Sequence, residues 1–528
     1  MKGRLVKVIY WGAIAIALLG LASRLCPVIK DFFDTEFQAI AYPYSIDYGE
    51  GPLLDQTLRL AKFQNIYASA LDQPPYTISN YPPLFPLIQV PFAWAFGPAF
   101  WYGRLINLIC VLLAALFITL TLRALTGEWI GSVVGGLLLV ASPYVQHWAK
   151  FNRIDELALA LSWAGLFVVV RYVGQGSPML LDSSATPGSR LVALIRKGLA
   201  HRPFWLGVML IIGAILTRQT YALAAPAALT LWLALGAKGA WRRRFLQAAT
   251  FAVVVGGVSL LIFLVLNLLT AGGFYLNIVV ANVNAFDWNT VWNYGKEIRD
   301  NLGPLLGLTG GFILLGAIGK PARTQSAWAL VAPYVLAATA GSLTIGKDGS
   351  NVNYLLEFSA ALCVAAGAAL AWASQWKKWP VRLALQLGFI ALLAYQCVAL
   401  TNWNSDLSVS YLRDQMQYRY NTARLAQMIK DSRGIVLADE FMGLVPLAGK
   451  SLYFQPFEYK AMSDAGVWDQ TPFLQDIAGH KFDLILWYRS NAWRSVEGRW
   501  TVAQRNEIEQ YYVEDQQIGE VHVMAPRK

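Results

Sequence analysis

Acidic, cationic and aromatic residues of the kind that carry group transfer fall in five short stretches of this chain. The first is Ser45-Ile-Asp47-Tyr-Gly-Glu50-Gly-Pro, where two carboxylates stand three residues apart beside glycines that admit close approach. That arrangement suits a general base with a helper, and equally an N-cap with a solvated loop acid. The second is Asn80-Tyr81-Pro82-Pro83-Leu84, whose prolines suit a rigid helix entry and whose Tyr81 offers a face for a sugar. The third is Lys150-Phe-Asn152-Arg153-Ile-Asp155-Glu156. Acids fit a helix first turn, but a cation there needs an anionic partner: Asp155, Asp47 or a ligand phosphate. The fourth is Thr217-Arg218-Gln219, where Arg218 reads as a snorkelling cation or as a phosphate clamp. The fifth is Gly346-Lys347-Asp348-Gly349-Ser350-Asn351-Val-Asn353-Tyr354-Leu-Leu-Glu357. It supplies hydrogen bonders for a sugar (Asn351, Asn353, Tyr354), a further carboxylate (Glu357) and a second candidate phosphate cation (Lys347).

The elements that must position these residues are membrane spans. The 528 residues are 56% hydrophobic and only 14% charged, with a mean hydropathy of +0.42. Soluble chains carry about 25% charge. This excludes a cytosolic enzyme, a disordered chain and a secreted disulfide scaffold. Four scattered cysteines give neither a disulfide framework nor a zinc site. Apolar runs at 8–25, 100–122, 129–146, 156–173, 203–217, 219–236, 245–270, 302–318, 326–345, 353–374 and 381–400 predict eleven spans. Shorter apolar stretches at 50–62 and 83–97 predict helices lying along the interface.

With the N-terminus inside, the predicted inner segments carry 18 basic residues against Glu128 and Asp182 alone. The formal charge of +11 thus reports a positive-inside orientation in the plasma (inner) membrane, not a nucleic-acid partner. Residues 174–201 read as a flexible inner loop. From Thr401 the composition becomes that of a soluble domain, with buried strands predicted at 434–440 and 482–488. The expected organisation is a mainly α, polytopic membrane domain over 1–400 and a small extracytoplasmic α/β domain over 401–528. All five stretches fall at the outer ends of spans, which suits an anionic lipid-linked donor reacting at the outer leaflet.

Asp47-Tyr-Gly-Glu50-Gly, Tyr81-Pro-Pro-Leu84, Arg153-Ile-Asp155 and Thr217-Arg218-Gln219, in this order, resemble the polytopic GT-C glycosyltransferases. The resemblance is to the family 39-like branch that holds the protein O-mannosyltransferases and the lipid A aminoarabinose transferase. It covers roughly residues 1–400. It implies a bundle with interfacial helices in the first external loop, a polyprenyl-phosphate sugar as donor, and the first-loop acid as base. That acid is Asp47, with Glu50 competing because Asp-Tyr-Gly-Glu replaces the adjacent acidic pair of relatives. The reaction implied is inverting transfer to a hydroxyl of a lipid, glycan or protein acceptor. Arg218, Arg153 and Lys347 would meet the leaving phosphate. Tyr81, Asp155, Gln219, Asn351, Asn353, Tyr354 and Glu357 would line the sugar and acceptor side. No metal site is assigned, and any metal used would be Mg²⁺ or Mn²⁺ on carboxylates. The rival readings are a transporter, which wants charges at mid-span, and a non-catalytic assembly subunit.

Overall fold

The computed structural model describes residues 2–173, 202–318, 324–489 and 499–528; the expected inner loop at 174–201 lies outside them. The chain is a polytopic, mainly α membrane protein with a small C-terminal sheet. Each of the eleven expected runs falls on a helix, but only six helices among the described residues are long and apolar enough to cross a membrane. A seventh candidate is the pair α5 (Ile130–Val140) and α6 (Pro143–Ala149), bent by 51° at Pro143. Of the remaining runs, 302–318 is the second half of the 31-residue helix Trp288–Ile318, which is broken at Leu302, and the other three form shorter helices. α7 (Asp155–Val168) has 14 residues, because Asp155 and Glu156 open it and a π-turn ends it. Arg202–Thr217 has 16 and Ala224–Leu235 has 12.

α1 (Lys2–Ala41) runs well past the predicted span. Arg24, Lys30, Asp31 and Asp34 end the apolar run without ending the helix, because charge on one face does not break a backbone ladder. The expected interfacial helices form as α2 (Glu50–Ala61) and α3 (Leu84–Phe96). α4 (Trp101–Thr126) packs against α5 and α7, which brings the Lys150–Glu156 stretch beside the first loop.

The chain stays helical across residue 401, to Gln417. The sheet begins later, at β1 (Ile435–Ala438), and β2 (Phe482–Tyr488) pairs parallel with it. Both match the predicted strands. The hairpin of β3 (Tyr512–Ile518) and β4 (Val521–Pro526) completes the order β1-β2-β4-β3. Its polar run Glu514-Asp-Gln-Gln carries no apolar alternation to announce a strand.

The first loop and the C-terminal domain share one core. Tyr76 and Ile78 are buried in the aromatic cluster of that domain. Tyr76 packs edge-on against Tyr453, Tyr459, Trp468 and Phe473. Its amide donates to the Tyr453 carbonyl (2.7 Å), and its carbonyl accepts from Gln455 (3.0 Å). α2 presses directly on the domain: a Cβ on Gly51 would lie 2.7 Å from the Gly443 Cα.

Asp55 of α2 joins this contact by accepting the Leu452 amide (3.0 Å). Burial raises its carboxyl to about 6, whereas in an unfolded chain it titrates near 3.9. The folded state therefore holds the proton more tightly, so stability declines as pH rises from about 4 to about 6 and then levels off. Asp55→Asn keeps the acceptor and removes the ionisation. We expect the variant to lose this decline, on the order of 2–3 kcal/mol, in thermal unfolding followed between pH 4 and 7.

Candidate active site

Glu50 opens α2, where a carboxylate also meets the positive end of the helix. It and Arg104 of α4 are both fully buried. Arg104 uses all five of its donors. Nε and Nη2 grip the two Glu50 oxygens at 2.9 and 2.8 Å. Nη1 reaches the carbonyls of Ala39 and Tyr42, and Nη2 also that of Tyr44, each at 2.7 Å. Glu50 further accepts the amides of Ile46 (2.6 Å), Asp47 (3.4 Å) and Asn152 (2.7 Å). One ion pair thus ties together the end of α1, the first loop, α2, α4 and the α6–α7 link. Glu50 has no oxygen left to take a proton from another molecule.

Asp47 is placed differently. Oδ2 accepts the Gly49 amide (2.9 Å) and pairs with Arg153, while Oδ1 accepts no hydrogen bond among the described residues. The side chain keeps 15% of its surface exposed. Burial raises the carboxyl above its ordinary range; the Arg153 guanidinium works against that rise and the Glu50 charge adds to it. Gly49 is required here, because a Cβ would lie within 1.8 Å of the Arg153 guanidinium.

From Asp47 a continuous polar line runs into the bundle. Arg153 stacks on Trp148, 5.3 Å from its ring centre. Trp148 donates from Nε1 to Asp155 (2.6 Å). Asp155 pairs with Arg218, which also donates to the Asn353 carbonyl (3.1 Å) and lies 4.4 Å from the Tyr354 ring centre. Gln219 donates to the Asn80 carbonyl (3.1 Å). Tyr81 feels the charges of both Arg218 and Arg153 as well as Tyr354, and Glu357 feels that of Arg218. Along this line several buried polar atoms have no partner among the described residues. They are Nε and Nη2 of Arg218, Nε of Arg153, Oε1 of Glu357, and the side-chain oxygens of Gln219, Asn353 and Asn80. Buried polar groups are almost always satisfied, so this set marks room for a polar ligand that accepts from the guanidinium donors and donates to the neighbouring oxygens.

The structure thus brings together Asp47, Tyr81, Arg153, Asp155, Arg218, Gln219, Asn353, Tyr354 and Glu357. Lys347 and Asn351 stay apart from them. The Lys347 side chain touches none of this line among the described residues, and its backbone bridges to Phe286 instead. Asn351 is exposed and caps the turn Val352–Leu355 by accepting the Val352 amide (2.7 Å). Among the described residues no three His, Cys, Asp or Glu side chains cluster as a metal would need.

Sequence reasoning missed the part played by the C-terminal domain. Tyr48, next to Asp47, donates to Glu458 (3.0 Å) and accepts the Phe457 amide (3.2 Å). The Arg499 guanidinium lies 3.8 Å from the Tyr48 ring centre and is held by Glu440 at 2.7 and 3.2 Å. Asp439 anchors that arm, taking the Trp500 indole N–H (3.0 Å) and the Tyr488 amide (3.0 Å). These groups lie about 400 residues from Tyr48, and no local pattern couples them.

No family model and no curated protein matches the sequence. Solved structures do match the fold. ArnT from Cupriavidus metallidurans bound to undecaprenyl phosphate superposes at a TM-score of 0.58, with 15% identity over 96% of this chain and 98% of that one. Its apo form gives 0.59 at 14% identity, over 99% and 98%. The archaeal oligosaccharyltransferase AglB from Archaeoglobus fulgidus, in complex with an inhibitory peptide and a dolichol-phosphate, gives 0.55 at 12% identity, over 99% and 74%. The chain therefore has the GT-C-like fold that the sequence resemblance implies.

Removing one partner of a buried ion pair leaves an uncompensated charge and costs about 3–5 kcal/mol. Arg104→Ala is expected to lose stability on that scale in thermal unfolding of purified, detergent-solubilised protein. Arg499→Ala, at a clamp whose Arg499 and Glu440 side chains are 20% and 33% exposed, is expected to cost about 1–2 kcal/mol.

Proposed function

We propose that the protein is an inverting glycosyltransferase that moves a sugar from a polyprenyl-phosphate donor to an acceptor hydroxyl, with Asp47 as general base. The observation that carries this reading is the pairing of one carboxylate oxygen without a partner, Asp47 Oδ1, with a buried cation line whose outer donors are unfilled. The polyprenyl phosphates named with ArnT and AglB support a lipid-phosphate donor for the same fold.

In the proposed step the acceptor O–H gives its proton to Asp47 Oδ1 as its oxygen bonds to the anomeric carbon. The bond from that carbon to the donor phosphate oxygen breaks, and its electron pair leaves with the lipid phosphate. The unfilled Nε and Nη2 of Arg218 meet the charge that grows there. Asp155 and the Tyr354 ring hold that guanidinium in place. Arg153 orients the base rather than receiving the phosphate first, since its Nη2 already grips Asp47. Tyr81, Gln219, Asn353, Tyr354 and Glu357 face the sugar and the acceptor. Glu50 has a structural part: it fixes the loop that carries the base. Lys347 and Asn351 have none in this reading. The site faces the extracytoplasmic side of the plasma (inner) membrane, as the charge distribution of the sequence implies. No step in this reading is routed through a metal.

Radiolabel transfer from a polyprenyl-phosphate sugar into membranes tests the assignment. Asp47→Asn is expected to lower the rate by about 10²–10⁴ at unchanged protein level, whereas Glu50→Gln is expected to lower the protein level itself. Normal transfer by Asp47→Asn rejects Asp47 as the base. The rate is also expected to fall on the acid side at a pH above the ordinary carboxylate range, because burial raises Asp47. Arg153→Ala removes the cation that counters that rise, so it should move this acid limb to still higher pH.

A further inference from the structure

A second concave site lies at the other end of α2. Arg59 stands nine residues beyond Glu50, about 14 Å along the helix axis. There a cleft of about 720 Å³ opens between the first loop and the C-terminal domain. Its charged lining residues are Arg59, Arg433 and Lys450, all positive. Pro74, Pro75 and Tyr453 give it apolar faces.

The three cations are differently held, and among the described residues only Arg59 is paired with a carboxylate. Lys450 donates to the carbonyls of Ser432 (2.6 Å) and Gly434 (3.1 Å), which fixes the ammonium without a counter-charge. One of its three donors is left over. Arg59 donates to Thr77 (3.2 Å), and its paired carboxylate, Asp55, stands 3.9 Å away. Arg433 is exposed and has no side-chain partner among the described residues. Two acids stand against the cleft wall, each holding protein donors. Asp483 takes the Gly434 amide and the Ser432 hydroxyl, and Asp476 takes the Tyr453 hydroxyl and Lys481. The cleft walls are rigid, because Tyr76 and Tyr453 are hydrogen-bonded across the junction of loop and domain.

Fixed guanidinium and ammonium groups select carboxylate or phosphate. Flat proline and tyrosine faces beside them suit the C–H face of a sugar ring. We propose that this cleft binds an acidic saccharide, with its anionic groups on Arg59, Arg433 and Lys450 and its ring against Pro74, Pro75 and Tyr453. The inference concerns binding alone and does not depend on the transfer reading.

The test is calorimetric titration of the full-length protein in neutral-lipid nanodiscs with trigalacturonic acid, maltotriose and inorganic phosphate. Trigalacturonic acid should bind, maltotriose should not, and phosphate should bind at least 10-fold more weakly than the acidic trisaccharide. Arg433→Glu, at an exposed position that leaves folding intact, should weaken trigalacturonic acid at least 10-fold with an unchanged unfolding temperature. Lys450→Ala should weaken it as well. Equal affinity for maltotriose, or unchanged affinity in Arg433→Glu, overturns the proposal. So does phosphate binding as tightly as the trisaccharide, which would make this a site for an isolated anion. Nanodiscs containing phosphatidylglycerol form the last arm. If that lipid displaces trigalacturonic acid from the wild type, the cleft is a headgroup site and the saccharide assignment fails.

Discussion

The geometry around Asp47 depends on the buried pair of Glu50 and Arg104. Charges removed from water are costly unless each polar atom finds a partner. Here every donor of the guanidinium is used, and the carboxylate takes three amides besides. The pair therefore specifies one arrangement of α1, the first loop, α2 and α4, since any shift would strand a buried charge. Asp47, three residues before Glu50, inherits that rigidity. Two carboxylates of the same loop thereby take opposite parts: one is saturated and silent, the other half-satisfied and open.

The second constraint is the clamp on Tyr48. Glu458 holds its hydroxyl, and Arg499 covers its ring. Tyr76, farther along the same loop, is buried in the aromatic cluster of the C-terminal domain. The loop is thus gripped from the bundle side at Glu50 and from the domain side at Tyr48 and Tyr76. Asp47 lies between these holds, with Arg153 across Gly49 as its counter-charge.

Much of this was legible in the sequence where the signal is local. Apolar runs marked each bundle helix. The missing anionic partner of Arg153 pointed to Asp47 among three choices, and the structure supplies it. The two buried strands were read from their unbroken apolar character. What was not legible has physical causes. Eleven apolar runs correspond to only six helices, among the described residues, that are long and apolar enough to cross a membrane, because hydropathy measures apolarity and not unbroken helix length. Glu50 competes with Asp47 in the sequence because Asp-Tyr-Gly-Glu replaces an adjacent acidic pair, and its partner, Arg104, lies 54 residues away where no local pattern announces it. Lys347 was grouped with Asn353 by sequence proximity alone, yet only the second half of that loop reaches Arg218. The clamp residues Glu440, Glu458 and Arg499 left no trace, since tertiary contacts across 400 residues have no periodicity.

The grip of the C-terminal domain on Tyr48 also sets an order in time. Ribosomes deliver the N-terminal end first, at about 5–20 residues per second. The loop that carries Asp47 is therefore made roughly 20–80 s before residue 458. Until then Tyr48 has neither its hydroxyl partner nor its cationic cover, and Tyr76 has no aromatic cluster to enter. The two holds on the loop, at Tyr48 and Tyr76, thus close only after the residues that grip them have been made.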